Sequence, residues 1–256
     1  MDAEHRDDSS HHISYGEVRD KLGWQSDCPV AQRNGRSRHS RYSEKTTVSL
    51  EAIEIAPQTD RKPVGAIVLL HGWGANARDL ASLFPLLNLP DYFYLCPDAP
   101  LPHPYAPGGK MWYDLETESR CGLSESREQL TQWLDGLEAR TGVPLSRTIV
   151  GGFSQGGAMT LDLGFCYPLA GLVSMSGYLL DRPQQPENLP PILLMHGRRD
   201  PIVPVVAARH AKDVLSELGA IVNYREFNIE HQICPQEVEL LRHFVLDVCP
   251  PNLPVS

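Results

Sequence analysis

No apolar stretch in this sequence approaches the ~18 residues that a membrane-spanning helix requires. The longest, Ala66–Leu70, has the length of one strand. The N-terminal region has no apolar core of the kind a secretory signal carries. Positive charge is also short: 23 Lys and Arg stand against 32 Asp and Glu, a net charge of −9. That balance argues against nucleic acid as a partner, since phosphate backbones select basic patches. The six cysteines, Cys28, Cys96, Cys121, Cys166, Cys234 and Cys249, include no C-x-x-C pair and no metal-ligand spacing. They read as reduced thiols of a cytoplasmic protein. There is no internal repeat.

What is present is enough chain, 256 residues, for one large domain with a substantial core. Residues 1–45 are set apart by composition: few aliphatics, no sustained periodicity, and as many basic as acidic residues. They read as a disordered extension, and residues 46–250 as the folded domain.

From residue 46 the pattern alternates. Strands are expected at Thr47 to Ile55, Gly65 to Leu70, Tyr92 to Cys96, Thr148 to Gly152, Gly171 to Met175, Ile192 to Met195 and Ile221 to Phe227. Between them the 3.6-residue period predicts helices. These run from Arg78 to Leu87, Ser124 to Arg140, Val205 to Leu218 and Gln236 to Val248, the last with Val238, Leu241, Val245 and Val248 inward. A further helix follows the strand that ends at Gly152. Continuous apolar strands alternating with amphipathic helices indicate an α/β fold, a mostly parallel sheet covered on both faces. In such sheets ligands sit beyond the carboxyl ends of the strands.

One of those strand ends carries Gly152-Phe153-Ser154-Gln155-Gly156, a G-x-S-x-G between strand and helix. A sharp turn there exposes the serine, and the flanking glycines let neighbouring segments pass without a Cβ clash. The plain alternative is a Gly-rich turn with a helix-capping serine. A working serine needs a base held by a carboxylate, in the chain order Ser, acid, His. His210 and His243 fall inside expected helices, whereas His231 lies in the loop after the last strand, the right edge of the sheet. Asp200 follows the strand Ile192 to Met195 and is braced by Pro201 and Pro204; its plain alternative is a turn aspartate. Asp181 and Glu187 stand away from a strand end. Oxyanion donors are expected from the backbone N–H of Gln155 and from Trp73, in the loop His71-Gly72-Trp73-Gly74. His71 reads as ordering that loop.

These residues resemble the phospholipase/carboxylesterase family of α/β-hydrolases, which includes small bacterial carboxylesterases and acyl-protein thioesterases. The matching pieces are LLHGWGAN (69–76), PDAP (97–100), MWYD (111–114), GGFSQGGAM (151–159), SMSGYL (174–179), HGRRDPIVP (196–204) and EHQI (230–233). The resemblance implies nucleophile Ser154, acid Asp200, base His231 and oxyanion donors Trp73 and Gln155. It also implies a short lobe, Leu101 to Leu123, over an acyl pocket, with Trp112, Tyr113, Leu123 and Val203 against the substrate. Two positions depart from the family pattern: Glu230 replaces the glycine before the catalytic histidine, and Trp73 replaces a leucine. The implied activity is hydrolysis of carboxylic esters or thioesters through an acyl-serine, with no metal or organic cofactor. Lysophospholipase or acyl-protein thioesterase action is the alternative, and a non-catalytic ligand-binding scaffold the alternative of another class. The implied partners are a small ester or thioester, acyl lipids included, and a second copy of the chain as a homodimer.

Overall fold

The computed structural model describes residues 50–59, 62–183 and 188–251. The extension read over residues 1–45, the start of the first expected strand and Glu187 lie outside the described residues.

Among the described residues, seven strands form one sheet: β1 (Ala52–Ile55), β2 (Gly65–Leu70), β3 (Tyr92–Pro97), β6 (Thr148–Phe153), β7 (Gly171–Met175), β8 (Ile192–Gly197) and β9 (Val222–Phe227). Their spatial order is β1-β3-β2-β6-β7-β8-β9. Only β1 runs antiparallel; every other neighbouring pair is parallel. The α/β expectation therefore holds, as an α/β-hydrolase-like sheet. A small second sheet pairs β4 (Leu101–Pro102) with β5 (Lys110–Met111).

Period-two alternation sends the side chains of each central strand to two different cores. Ala66, Val68 and Leu70 of β2 enter one cluster, and Ile67 and Leu69 enter the other. The first cluster is closed by α3 (Leu123–Asp135), α4 (Leu137–Thr141), α5 (Gln155–Leu163) and α6 (Val205–Glu217). The second is closed by α1 (Ala77–Ala81), α2 (Phe84–Leu87) and α7 (Pro235–Val248). Each fully buried Leu, Ile or Val contributes about 1.5–3 kcal/mol, which is why the apolar strand runs were legible.

The bounds of three expected elements differ most from the sequence expectation. The helix expected over Arg78 to Leu87 is two pieces, because Pro85 cannot donate to a continuing ladder and instead sits in the first turn of α2. The helix expected over Ser124 to Arg140 is interrupted at Gly136, which caps α3 and begins α4. In α7, Val238, Leu241 and Val245 are buried as expected, Val248 packs half-buried against the same cluster, and Phe244 is buried as well. Strand β1 begins at Ala52, because its partner in the ladder, Pro97, is the last residue of β3.

Candidate active site

The chain passes from β6 into α5 through a single residue, Ser154, at φ 53° and ψ −116°. A non-glycine residue held there is strained by about 1–3 kcal/mol, so its surroundings must over-determine it. They do. Its N–H donates to the Met175 carbonyl at 2.8 Å and its carbonyl accepts from Ala158 N–H at 3.0 Å. The turn packs so closely on β2 that a Cβ at Gly156 would overlap the Leu70 carbonyl. Although Ser154 occupies the N-cap position, its hydroxyl makes no capping hydrogen bond. It donates instead to His231 Nε2, 3.0 Å away. The capping-serine alternative is set aside by that contact.

Asp200 and His231 reach the same point because β8 and β9 are parallel neighbours whose pairing continues past their ends. Arg198 N–H donates to the Phe227 carbonyl at 2.7 Å, and Arg199 N–H to the Ile229 carbonyl at 3.1 Å. Gly197 lies beneath this crossing: a Cβ there would meet the carbonyl oxygens of Ile229 and Glu230 at 2.5 Å. His231 Nδ1–H then donates to Asp200 Oδ2 at 2.7 Å. The other carboxylate oxygen, Oδ1, accepts from Ile202 N–H at 2.9 Å and Val203 N–H at 2.8 Å. Burial alone would raise the Asp200 carboxyl, but the hydrogen bonds from His231, Val203 and Ile202 together hold it below the ordinary carboxylate value. A buried, ionised Asp200 fixes the proton of His231 on Nδ1 and leaves Nε2 to accept from the serine. Phe153 packs on the imidazole, with ring centroids 4.8 Å apart.

Behind Asp200 stands a histidine that sequence reasoning passed over. His196, fully buried at the end of β8, donates Nε2–H to the Val203 carbonyl at 2.8 Å and lies 3.5 Å from Asp200 Oδ2. Burial lowers its pKa despite the Val203 carbonyl and Asp200, so the ring stays neutral. Its place at the head of HGRRD was the available signal.

The loop after β2 is ordered by His71, as expected. Its Nδ1–H donates to the Gly72 carbonyl at 2.8 Å and its Nε2 accepts from Ala99 N–H at 3.0 Å. Burial lowers this histidine too, against its Gly72 hydrogen bond and Asp98. Gln155, the first residue of α5, is fully buried. Its Oε1 accepts from Trp112 N–H at 2.9 Å and its Nε2–H donates to the Tyr113 carbonyl at 2.7 Å. Trp112 is enclosed, its indole N–H donating to the His71 carbonyl at 2.9 Å. Tyr113 is enclosed as well, with its hydroxyl 2.5 Å from that of Tyr178. Leu123 and Val203 are also buried. Trp73 is half-buried in the loop, and the Glu230 side chain is exposed beside His231. His210 and His243 lie within α6 and α7, and Asp181 pairs with Arg127 at 3.5 Å.

A parallel α/β sheet with a serine on its elbow, hydrogen-bonded through histidine to a buried aspartate, is the arrangement of a serine hydrolase acting on esters or thioesters. The phospholipase/carboxylesterase family model matches residues 51–248. The chain belongs to that family. It is 31% identical to acyl-protein thioesterase 1 of Schizosaccharomyces pombe over 191 residues, 67% of this chain and 84% of that one. With acyl-protein thioesterase 1 of Neurospora crassa it shares 28% identity over 213 residues, covering 72% and 86% of the two chains. The crystal structure of esterase PE8 superposes with a TM-score of 0.73 at 29% identity, covering 78% of this chain and all of that one. Among the described residues, no helix is long and apolar enough to cross a membrane.

Proposed function

We propose that the chain hydrolyses carboxylic esters through an acyl-serine. Thioesters, as the names of the two fungal relatives indicate, form the second substrate class. The unbroken hydrogen-bond line from Ser154 Oγ through His231 to Asp200 carries the reading. As Oγ attacks the acyl carbon, His231 Nε2 takes its proton and the carbonyl electrons move onto oxygen. Collapse expels the alcohol or thiol, which receives that proton, and leaves an acyl-serine. Water, deprotonated by the same Nε2, then releases the acid and restores the hydroxyl.

The oxyanion is assigned to the backbone N–H groups of Trp73 and Gln155. The N–H of a first helical residue has no intrahelical acceptor, and Gln155 begins α5. In the β2 loop, Gly74 N–H is engaged by the Lys110 carbonyl and Ala75 N–H by that of Gly72. The N–H of Trp73 has no such partner among the described residues. Val203 and Leu123 are assigned to the acyl side of the site, with Trp112 and Tyr113 backing it from the core. The thiols of Cys96, Cys121, Cys234 and Cys249 support a reducing, cytoplasmic setting.

The test is fluorophosphonate labelling of wild type, Ser154→Ala and His231→Ala, beside hydrolysis of p-nitrophenyl acetate to laurate and of matched acyl thioesters. Labelling and turnover present only in the wild type support the reading, and the chain-length profile ranks the substrates. A folded wild type that is neither labelled nor active refutes it and favours a ligand-binding scaffold. Sedimentation of the same preparation measures the homodimer.

A further inference from the structure

The lobe between Leu101 and Leu123 is fastened to the β2 loop by its own hairpin. Gly74 N–H donates to the Lys110 carbonyl at 2.9 Å, and Lys110 N–H to the Ala75 carbonyl at 2.7 Å. Inside this junction the rings of Trp73 and His103 meet edge to face, with centroids 4.2 Å apart and planes at 74°. Gly74, next to Trp73, is at φ 77°, the left-handed region that favours glycine. His103 is itself held from the other side. Its Nδ1 accepts N–H groups from Tyr105 at 3.2 Å and Ala106 at 3.0 Å, which places the ring proton on Nε2.

Trp73 Nε1 and His103 Nε2 are both buried, and neither has a hydrogen-bond acceptor among the described residues. Two donors shut away from water side by side cost free energy unless something compensates. An edge-to-face contact sets one ring's edge against the electron-rich face of its neighbour, so it compensates at most one of the two donors. Such a contact is directional. It orients the Trp73 side chain, and with it the peptide that carries the Trp73 N–H.

We propose that His103 is a positioning residue, acting through Trp73 to hold the oxyanion donor of the β2 loop in place. The inference rests on the assignment of Trp73 N–H to the oxyanion. Leucine, the residue the family resemblance leads one to expect at position 73, offers no aromatic face, so the pairing belongs to this chain's combination of Trp73 with His103. A displaced donor loses its grip on the transition state while the ground-state complex is little changed, so the effect falls on kcat.

The experiment is a double-mutant cycle on the full chain: wild type, His103→Leu, Trp73→Leu and the double variant. It is read as kcat and KM for p-nitrophenyl butyrate, with inhibition by an aryl boronic acid as the transition-state mimic and melting temperature alongside. His103→Leu lowers kcat about tenfold and weakens the boronate by the same factor, with KM within about twofold. In the Trp73→Leu background it has no further effect on kcat. An unchanged kcat in His103→Leu overturns the proposal, as does a loss confined to KM or a loss of equal size in both backgrounds. A drop in kcat without a matching loss of boronate affinity refutes the oxyanion assignment itself. His103→Asn, which keeps an acceptor for the Tyr105 and Ala106 N–H groups but removes the ring, separates the contact from hairpin collapse. It reproduces the kcat loss at near wild-type melting temperature, and a wild-type kcat in this variant refutes the role of the ring.

Discussion

The turn after β6 and the loop after β8 both hold a reactive atom at the carboxyl edge of the sheet, and they do it by a different balance of means. The elbow is one residue long, and crowding reinforces its two backbone hydrogen bonds. Gly156 lies against the Leu70 carbonyl, so Ser154 stays at a positive φ because its neighbours leave it nowhere else to go. The acid loop runs from Arg198 to Pro204, and hydrogen bonds fix it. Asp200 accepts from Ile202 and Val203, His196 closes onto the Val203 carbonyl, and Arg198 reaches Glu226 of β9 at 3.0 Å. Crowding is all or none, since a single added methyl has no space. A hydrogen-bonded loop spreads its support over several contacts and degrades by steps.

Substitutions can sharpen or break that contrast. Ser154→Ala removes the nucleophile, and kcat falls about 10⁵- to 10⁶-fold with the fold intact. Stoichiometric fluorophosphonate titration checks it; more than a percent of wild-type turnover would place the nucleophile elsewhere. Asp200→Asn lowers kcat about 10⁴-fold. Its side-chain oxygen still accepts from Ile202 and Val203, so the loop persists while His231 loses the partner that holds its proton on Nδ1. Circular dichroism melts beside kcat separate the two, and a melting temperature that collapses with activity would contradict the contrast.

Gly156→Ala tests crowding directly. It destabilises by about 3 kcal/mol, near the upper end for overpacking, as measured by urea unfolding. His196→Asn weakens the buried hydrogen bond to Val203 and costs about 1–2 kcal/mol, with kcat down about tenfold. Equal losses from these two variants would erase the distinction between a crowded turn and a bonded loop.

The smallest effect lies at the outer end of the acid loop. The Arg209 hydrogen bonds hold Glu226 at about 2 against an ordinary 4.5; burial opposes, and Tyr224 and Arg198 add to the lowering. The folded state therefore binds this proton less readily than the unfolded chain. The stabilisation is complete above pH 4.5 and is lost as pH falls toward 2. Because both arginines are more than half exposed, solvent screening reduces it to about 1 kcal/mol. Glu226→Gln is less stable than wild type at pH 7, and the gap closes on acidification. A gap that stays constant with pH would show that the ion pairs contribute nothing.

The triad was legible because each member sits just past a strand end, and a parallel sheet delivers all its strand ends to one edge. Glycine spacing at 151–157, the prolines around Asp200 and the apolar strand runs are local signals, and they act through local sterics and burial. The helix breaks at Pro85 and Gly136 were equally local, yet the periodicity of Leu80, Leu83, Phe84 and Leu87 masked the first, since all four are buried on either side of it. His196, just past the expected strand end at Met195, had its place at the head of HGRRD as a signal, but that signal does not say that the ring turns onto the Val203 carbonyl behind Asp200.

Sequence by itself determined the sheet, the order of nucleophile, acid and base, and the family to which the chain belongs. Tertiary structure alone decided that Asp200 and His231 meet, through the continuation of β8–β9 pairing into two loops 31 residues apart in the chain. It alone set Gln155 as the peg beneath Trp112 and Tyr113, and brought His103 onto Trp73. The geometry of those contacts depends on register, burial and ring orientation, which arise only when separate segments pack.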